Sequence, residues 1–110
     1  MSRKIIIPLF GEDVAPRFDL ATEVFIIEQG EEGEILEEKA LVLPHASAEQ
    51  LCHLILTEGV EVVICGGIEE EYYQFLTWKR VQVFDAVIGP WRRAEERFRQ
   101  GLLKSGAVVL

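Results

Sequence analysis

"VEVVICGGIEEEYYQFL", Val60 to Leu76, is the stretch that decides the fold. Its first six residues are apolar at nearly every position, as in a strand of a parallel sheet that is covered on both faces. Two glycines follow, after which Ile68, Tyr72, Phe75 and Leu76 recur at helical spacing. Glu69, Glu70 and Glu71 fall in the first turn of that helix, where carboxylates complement the helix dipole. A buried strand that turns a tight corner into an amphipathic helix predicts an α/β chain with part of its sheet parallel.

The corner itself, "CGGI", allows two readings. Gly66 and Gly67 let backbone approach a bound group closely, and the next helix offers its N–H groups to an anion. Against this, three glutamates repel an anion that they face, and no GxxxxGK[ST] loop is present, so a plain tight corner competes with a binding role.

Outward from this unit the pattern continues. "PHASAEQLCHLILTEG", from Pro44, sets Ser47 and Gln50 as a capping box, an apolar stripe of Ala48, Leu51, Cys52, Leu54 and Ile55, and Gly59 as a stop. "VQVF", from Val81, is a further strand. "PWRRAEERFRQGLL", from Pro90, repeats Trp91, Ala94, Phe98 and Leu102 on one face of a last helix, and "AVVL" is a tail or a short edge strand. Toward the N-terminus, "KIIIPLF" is a short strand whose pairing is interrupted at Pro8 or ends soon after it. "GEDVAPRFDLAT", Gly11 to Thr22, reads as a loop with Phe18 turned inward, and "EVFII" and "ILEEKALVL" flank a Gly-containing turn as a hairpin. The expected order is β-β-β-α-β-α-β-α: one domain, residues 1–110, with a ribonuclease-H-like mixed five-stranded sheet and helices packed on it.

Composition narrows the function classes. The net charge is −8, with 16 acids and 4 bases in residues 1–71 and 3 acids and 7 bases after them. Such a chain repels a phosphate backbone, so no nucleic-acid partner is expected. No apolar run approaches the length of a membrane helix and "IIIPLF" lacks the features of a signal peptide, which predicts a cytoplasmic protein without a membrane partner. Nor is an enzyme expected: "KIIIPLF" carries none of the carboxylates that a two-metal nuclease of this shape needs, and no Ser-His-Asp order, zinc-spaced Cys/His set or dinucleotide fingerprint appears.

Taken together, "KIIIPLFGEDVAPRFDLATEVFII", "LPHASAEQLCHLILTEGVEVVICGGI" and the closing "QGLL" resemble the dinitrogenase iron-molybdenum cofactor biosynthesis family over nearly the whole chain. The resemblance implies a small ribonuclease-H-like carrier or accessory protein. It would bind the iron-molybdenum cofactor or an iron-sulfur cluster transiently and would meet cofactor-assembly proteins. Relatives often show His-Phe-Gly where this chain has Arg17-Phe18-Asp19, and His-Gly where it has His45-Ala46, so one imidazole is missing.

For an anionic metallocluster the candidate contacts are Arg17, His45 and the Gly66 and Gly67 amides, with His45 and Cys65 as metal ligands. Each has a simpler role: His45 as an exposed loop residue, Cys65 as a small core residue, Arg17 as an ion-pair partner of Asp19 or Glu12. Cys52 lies on the apolar stripe and reads as core, and His53 lies on the polar face. A second reading is a metal-free interaction or regulatory module that uses Trp78, Trp91 and the basic stripe Arg92, Arg93, Arg97 and Arg99. The sheet edge beside the tail leaves room for a homodimer.

Overall fold

The computed structural model describes residues 2–110. Its elements are β1 (Arg3–Phe10), β2 (Asp13–Val14), a 3-10 turn (Phe18–Leu20), β3 (Glu23–Gln29), β4 (Ile35–Val42), α1 (Ala48–Thr57), β5 (Val62–Ile64), α2 (Glu70–Trp78), β6 (Gln82–Phe84) and α3 (Trp91–Arg99). They form a mixed sheet ordered β4-β3-β1-β5-β6, with the short β2 paired to β1. β3 pairs antiparallel with β1 on one side and with β4 on the other, whereas β5 and β6 run parallel to β1. The five expected strands are all present, and β2 is a sixth inside the segment expected to be loop.

β1 lies at the centre. Ile5, Ile6 and Ile7 are all fully buried, and because successive strand residues point to opposite faces they feed two separate cores. Ile6 joins Val24, Ile26 and Val63 beneath α1 and α2, through Leu51, Ile55 and Leu76. Ile5 and Ile7 join Ile27, Val62 and Ile64 beneath α3, through Trp91, Ala94 and Phe98. Trp91 is thus a core residue. Its ring meets Phe25 at 4.6 Å, and Phe98 meets Phe84 edge-on at 5.6 Å.

The pairing is not interrupted at Pro8 but ends soon after it, at Phe10, the second of the two outcomes that the sequence allows. Pro8 sits opposite Val24 in the β1–β3 register, and its carbonyl accepts from the Ala15 N–H at 2.8 Å, on the side away from β3. A strand residue presents its N–H and C=O to the same side, so the N–H that proline lacks belongs to no β1–β3 bond.

Ser47 caps α1 by accepting from the Gln50 N–H at 3.2 Å. The other half of the expected box is replaced: the Gln50 amide turns to His45 Nε2, at 3.2 Å. Pro90 is the N-cap of α3, and the Trp91 N–H donates to the Glu12 carbonyl at 3.0 Å, which fixes the helix start to the β1–β2 turn. The tail makes one parallel bridge, Ile88 to Val108, and Val109 is buried beneath it. Among the described residues no helix is long and apolar enough to cross a membrane.

The face that α1 buries can be checked by two truncations. Leu51→Ala, at a fully buried site, is expected to cost about 2–5 kcal/mol in urea denaturation. Leu56→Ala, on the exposed face of the same helix, is expected to cost about 1 kcal/mol or less. Equal losses would mean that α1 packs through another face.

Candidate functional site

The sheet topology brings several connections to one end. There lie the segment between β1 and β3, the turn at residues 65–69 after β5 and the loop at residues 85–90 after β6. The β4–α1 loop reaches the same end, since Val42 pairs with Glu23 and the Leu43 N–H donates to the Thr22 carbonyl at 2.6 Å. Ligands of open α/β sheets gather at such strand ends.

Backbone bonds knit these segments together. Gly67 N–H donates to the Pro16 carbonyl at 2.7 Å, and Phe18 N–H donates to the Gly67 carbonyl at 2.8 Å. Val14 N–H donates to the Gly89 carbonyl at 2.9 Å, and Val87 N–H to the Cys65 carbonyl at 3.0 Å. Phe18, 1% exposed, plugs the core below, as the sequence predicts.

These contacts show what the glycine corner does. A Cβ on Gly66 would lie 2.3 Å from the Ala15 carbonyl oxygen and 2.6 Å from that of Pro16. Glycine is required at Gly66 because the 11–22 segment lies against it. The group that the backbone approaches so closely is another stretch of the same chain, and the Gly67 amide is already committed to Pro16.

The remaining candidates share this end of the sheet without sharing one opening. Cys65 is fully buried in the α1/α2 core, and burial, with Asp85 nearby, pushes its thiol up to about 12. Cys52 is also buried, as expected, and its thiol is raised to about 11 by burial and then by Glu49. His45 is exposed in the β4–α1 loop. Its Nε2 lies 3.2 Å from the Gln50 side-chain amide, within hydrogen-bond distance. Arg17 grips Asp19 through two bonds, Nε to Oδ1 at 3.0 Å and Nη2 to Oδ2 at 2.7 Å, while its side chain stays 59% exposed. Among the described residues no three His, Cys, Asp or Glu side chains are grouped to hold a metal ion.

An opening lies at this end. It is a cleft of about 440 Å³ between the end of β1 and the 3-10 turn, lined by Phe10, Pro16, Arg17, Leu20 and Thr22 among others. Of the sequence candidates, Arg17 alone lines it. Phe10 and Leu20, which flank it, are 73% and 61% exposed, a large apolar surface to leave in water. Sequence reading passed over both. The available signal was an apolar strand end running into Gly11 and a leucine next to Asp19 in a segment with no clear period.

The basic stripe of α3 is largely occupied. Arg92 stacks on Trp91 at 4.6 Å, Arg93 meets Glu96 at 3.4 Å and Arg99 meets Glu95 at 2.9 Å. His53 is exposed, as expected, and Trp78 is 74% exposed under Lys79.

The sequence pattern described as dinitrogenase iron-molybdenum cofactor matches residues 1–101. Among solved structures, a candidate dinitrogenase of Methanocaldococcus jannaschii is similar with a TM-score of 0.77 at 21% identity, covering 94% of each chain. A candidate NifB protein of Thermotoga aligns with a TM-score of 0.71 at 20% identity over 98% of this chain and 97% of the other. The apo form of the orange protein of Desulfovibrio gigas aligns with a TM-score of 0.72 at 19% identity over 98% and 96%. At these identities the structures show a shared fold. No curated protein matches the chain in sequence.

Two outcomes follow from the corner and its thiols. Gly66→Ala should destabilise the protein by about 2 kcal/mol or more, because the added methyl meets backbone that cannot rotate away; chemical denaturation measures it. Thiol titration with a chromogenic disulfide at pH 8 should find both cysteines slow in the native protein and both reactive in denaturant, since burial withholds the thiolate. A rapid native thiol would mean that the corner opens.

Proposed function

Because this chain belongs to the dinitrogenase iron-molybdenum cofactor family, we propose that it is a non-enzymatic accessory protein that takes up a metallocluster and hands it on. The cargo would be the iron-molybdenum cofactor or an iron-sulfur precursor. The observation that carries this reading is the family match over residues 1–101, which includes every element of the sheet and all three helices. We also take the sheet to be ribonuclease-H-like, without the carboxylates of that group's nucleases on its central strand.

The residues present suit a passing cargo better than a resident cluster. With no grouped ligand set among the described residues, a permanent cluster has nothing to hold it. A visiting one has an open cleft with apolar walls and the Arg17 guanidinium beside it, and the imidazole of His45 on an adjoining loop. Arg17 would trade Asp19 for an anionic cluster, and His45 would release Gln50 to bind iron. Cys65 would contribute only after the 65–67 corner opened, because its sulfur lies in the core. Weak, replaceable contacts are what a carrier needs, since cargo held by several thiolates would not leave.

The test is anaerobic. Purified protein is mixed with isolated iron-molybdenum cofactor, or separately with an iron-sulfur precursor, and the iron and molybdenum that co-elute in gel filtration are quantified. Near-stoichiometric metal is expected for the parent chain, with a loss of about tenfold in affinity for His45→Ala and for Arg17→Ala. Cys65→Ser should change nothing unless the corner opens. Metal no higher than in a control protein would overturn the carrier reading. It would favour the metal-free interaction module, for which the exposed Trp78 is the observation in hand.

A further inference from the structure

At the opposite end of β1 is a second cleft, of about 540 Å³, that the carrier reading does not use. It lies between the β3–β4 turn and the last turn of α3, and it is lined by Arg3, Gln29, Glu32, Glu61 and Arg99 among others. Gln29 is the unusual member. It is 1% exposed, and its Nε2 has no hydrogen-bond partner. Leaving a buried donor unsatisfied costs about 1–3 kcal/mol, so such a group in a native fold points to something that binds it.

β3 carries Gln29 to this end on the same face as Ile27, and the register shift beside it leaves Leu36 of β4 as the unpaired residue. Directly opposite Gln29 on β1 is Arg3, whose guanidinium lies over the Phe98 ring at 4.7 Å and has no ion pair among the described residues. Arg99 closes the other side. Its stem passes over Gly33, where a Cβ would lie 3.3 Å from Arg99 Cγ, and its Nε is held at 2.9 Å by Glu95, itself 5% exposed. The Gln29 amide and the two guanidinium groups thus line the same cleft as the carboxylates of Glu31, Glu32 and Glu61.

We propose that this cleft binds a free α-amino acid as its zwitterion, the carboxylate taken by Gln29 and Arg3 and the ammonium by Glu32 and Glu61. A simple anion would satisfy Gln29 but would meet the three carboxylates of Glu31, Glu32 and Glu61, and a simple cation would leave Gln29 without an acceptor. A molecule carrying both charges a few ångströms apart satisfies both sets. The cleft volume is within the range of small-ligand sites, with room for a side chain beyond the backbone atoms.

Nuclear magnetic resonance tests this directly on the full chain. The Gln29 side-chain NH2 pair is assigned by its absence from Gln29→Leu, a change that removes the unsatisfied donor and should leave the fold intact. The protein is then titrated with each common L-amino acid, with acetate and with methylammonium, to concentrations of about 10 mM. At least one amino acid should shift the Gln29 pair saturably, and the exposed-site variant Arg3→Ala should weaken it about tenfold. Neither acetate nor methylammonium should match it. The proposal is overturned if no amino acid moves the Gln29 signals, if acetate alone moves them as effectively, or if Arg3→Ala leaves the affinity unchanged. None of these outcomes bears on metallocluster binding at the other end of β1.

Discussion

Everything in this molecule is built on a single strand that is dry on both faces. Ile5, Ile6 and Ile7 have no exposed surface, and each face of β1 must therefore be covered by something else. α1 and α2 cover one face and α3 covers the other, joined by the C-terminal Val109. Burial of a large aliphatic side chain contributes roughly 1.5–3 kcal/mol, so three in succession at the centre make both layers obligatory. Antiparallel β3 and parallel β5 flank β1, and between them they separate the hairpin half of the chain from the βα half.

The two ends of that strand carry opposite chemistry. At its C-terminal end the 11–22 segment is bound backbone to backbone against the glycine corner, and what remains open is an apolar cleft beside Arg17. At its N-terminal end a bulge and two arginines frame a polar cleft around one buried amide. Backbone hydrogen bonds frame the first, while polar side chains there sit in replaceable pairs such as Arg17 with Asp19. A site assembled from breakable pairs suits uptake and release, whereas one preorganised around a buried donor suits recognition.

Ion pairs contribute differently. Lys39 and Glu58 meet at 2.6 Å between β4 and the end of α1, which raises the Lys39 pKa and lowers that of Glu58, each chiefly through their mutual hydrogen bond. Both groups lie in solvent, where such pairs have little effect on stability. Their placement matters more. β4 is an edge strand exposed along most of its length, and charges at Glu37, Glu38 and Lys39 discourage pairing with another chain.

The sequence by itself determined the layers. Apolar runs at β1 and β5, helical stripes in α1, α2 and α3, and the cap at Ser47 are local patterns, readable because burial acts on each residue according to its own period. It likewise placed Phe18 and Cys52 in the core. What it could not decide was anything that depends on two distant segments meeting. Gly66 and Gly67 could serve a ligand or a corner, and only the arrival of Ala15 and Pro16 against them shows the corner. Whether Pro8 interrupts the pairing or precedes its end is settled only when β3 and Ala15 show which side its nitrogen faces. His45, Cys65 and Arg17 come to one end of the sheet, yet one is exposed on a loop, one is buried and one is paired with Asp19, because solvent access is set by packing between elements that sequence spacing does not encode.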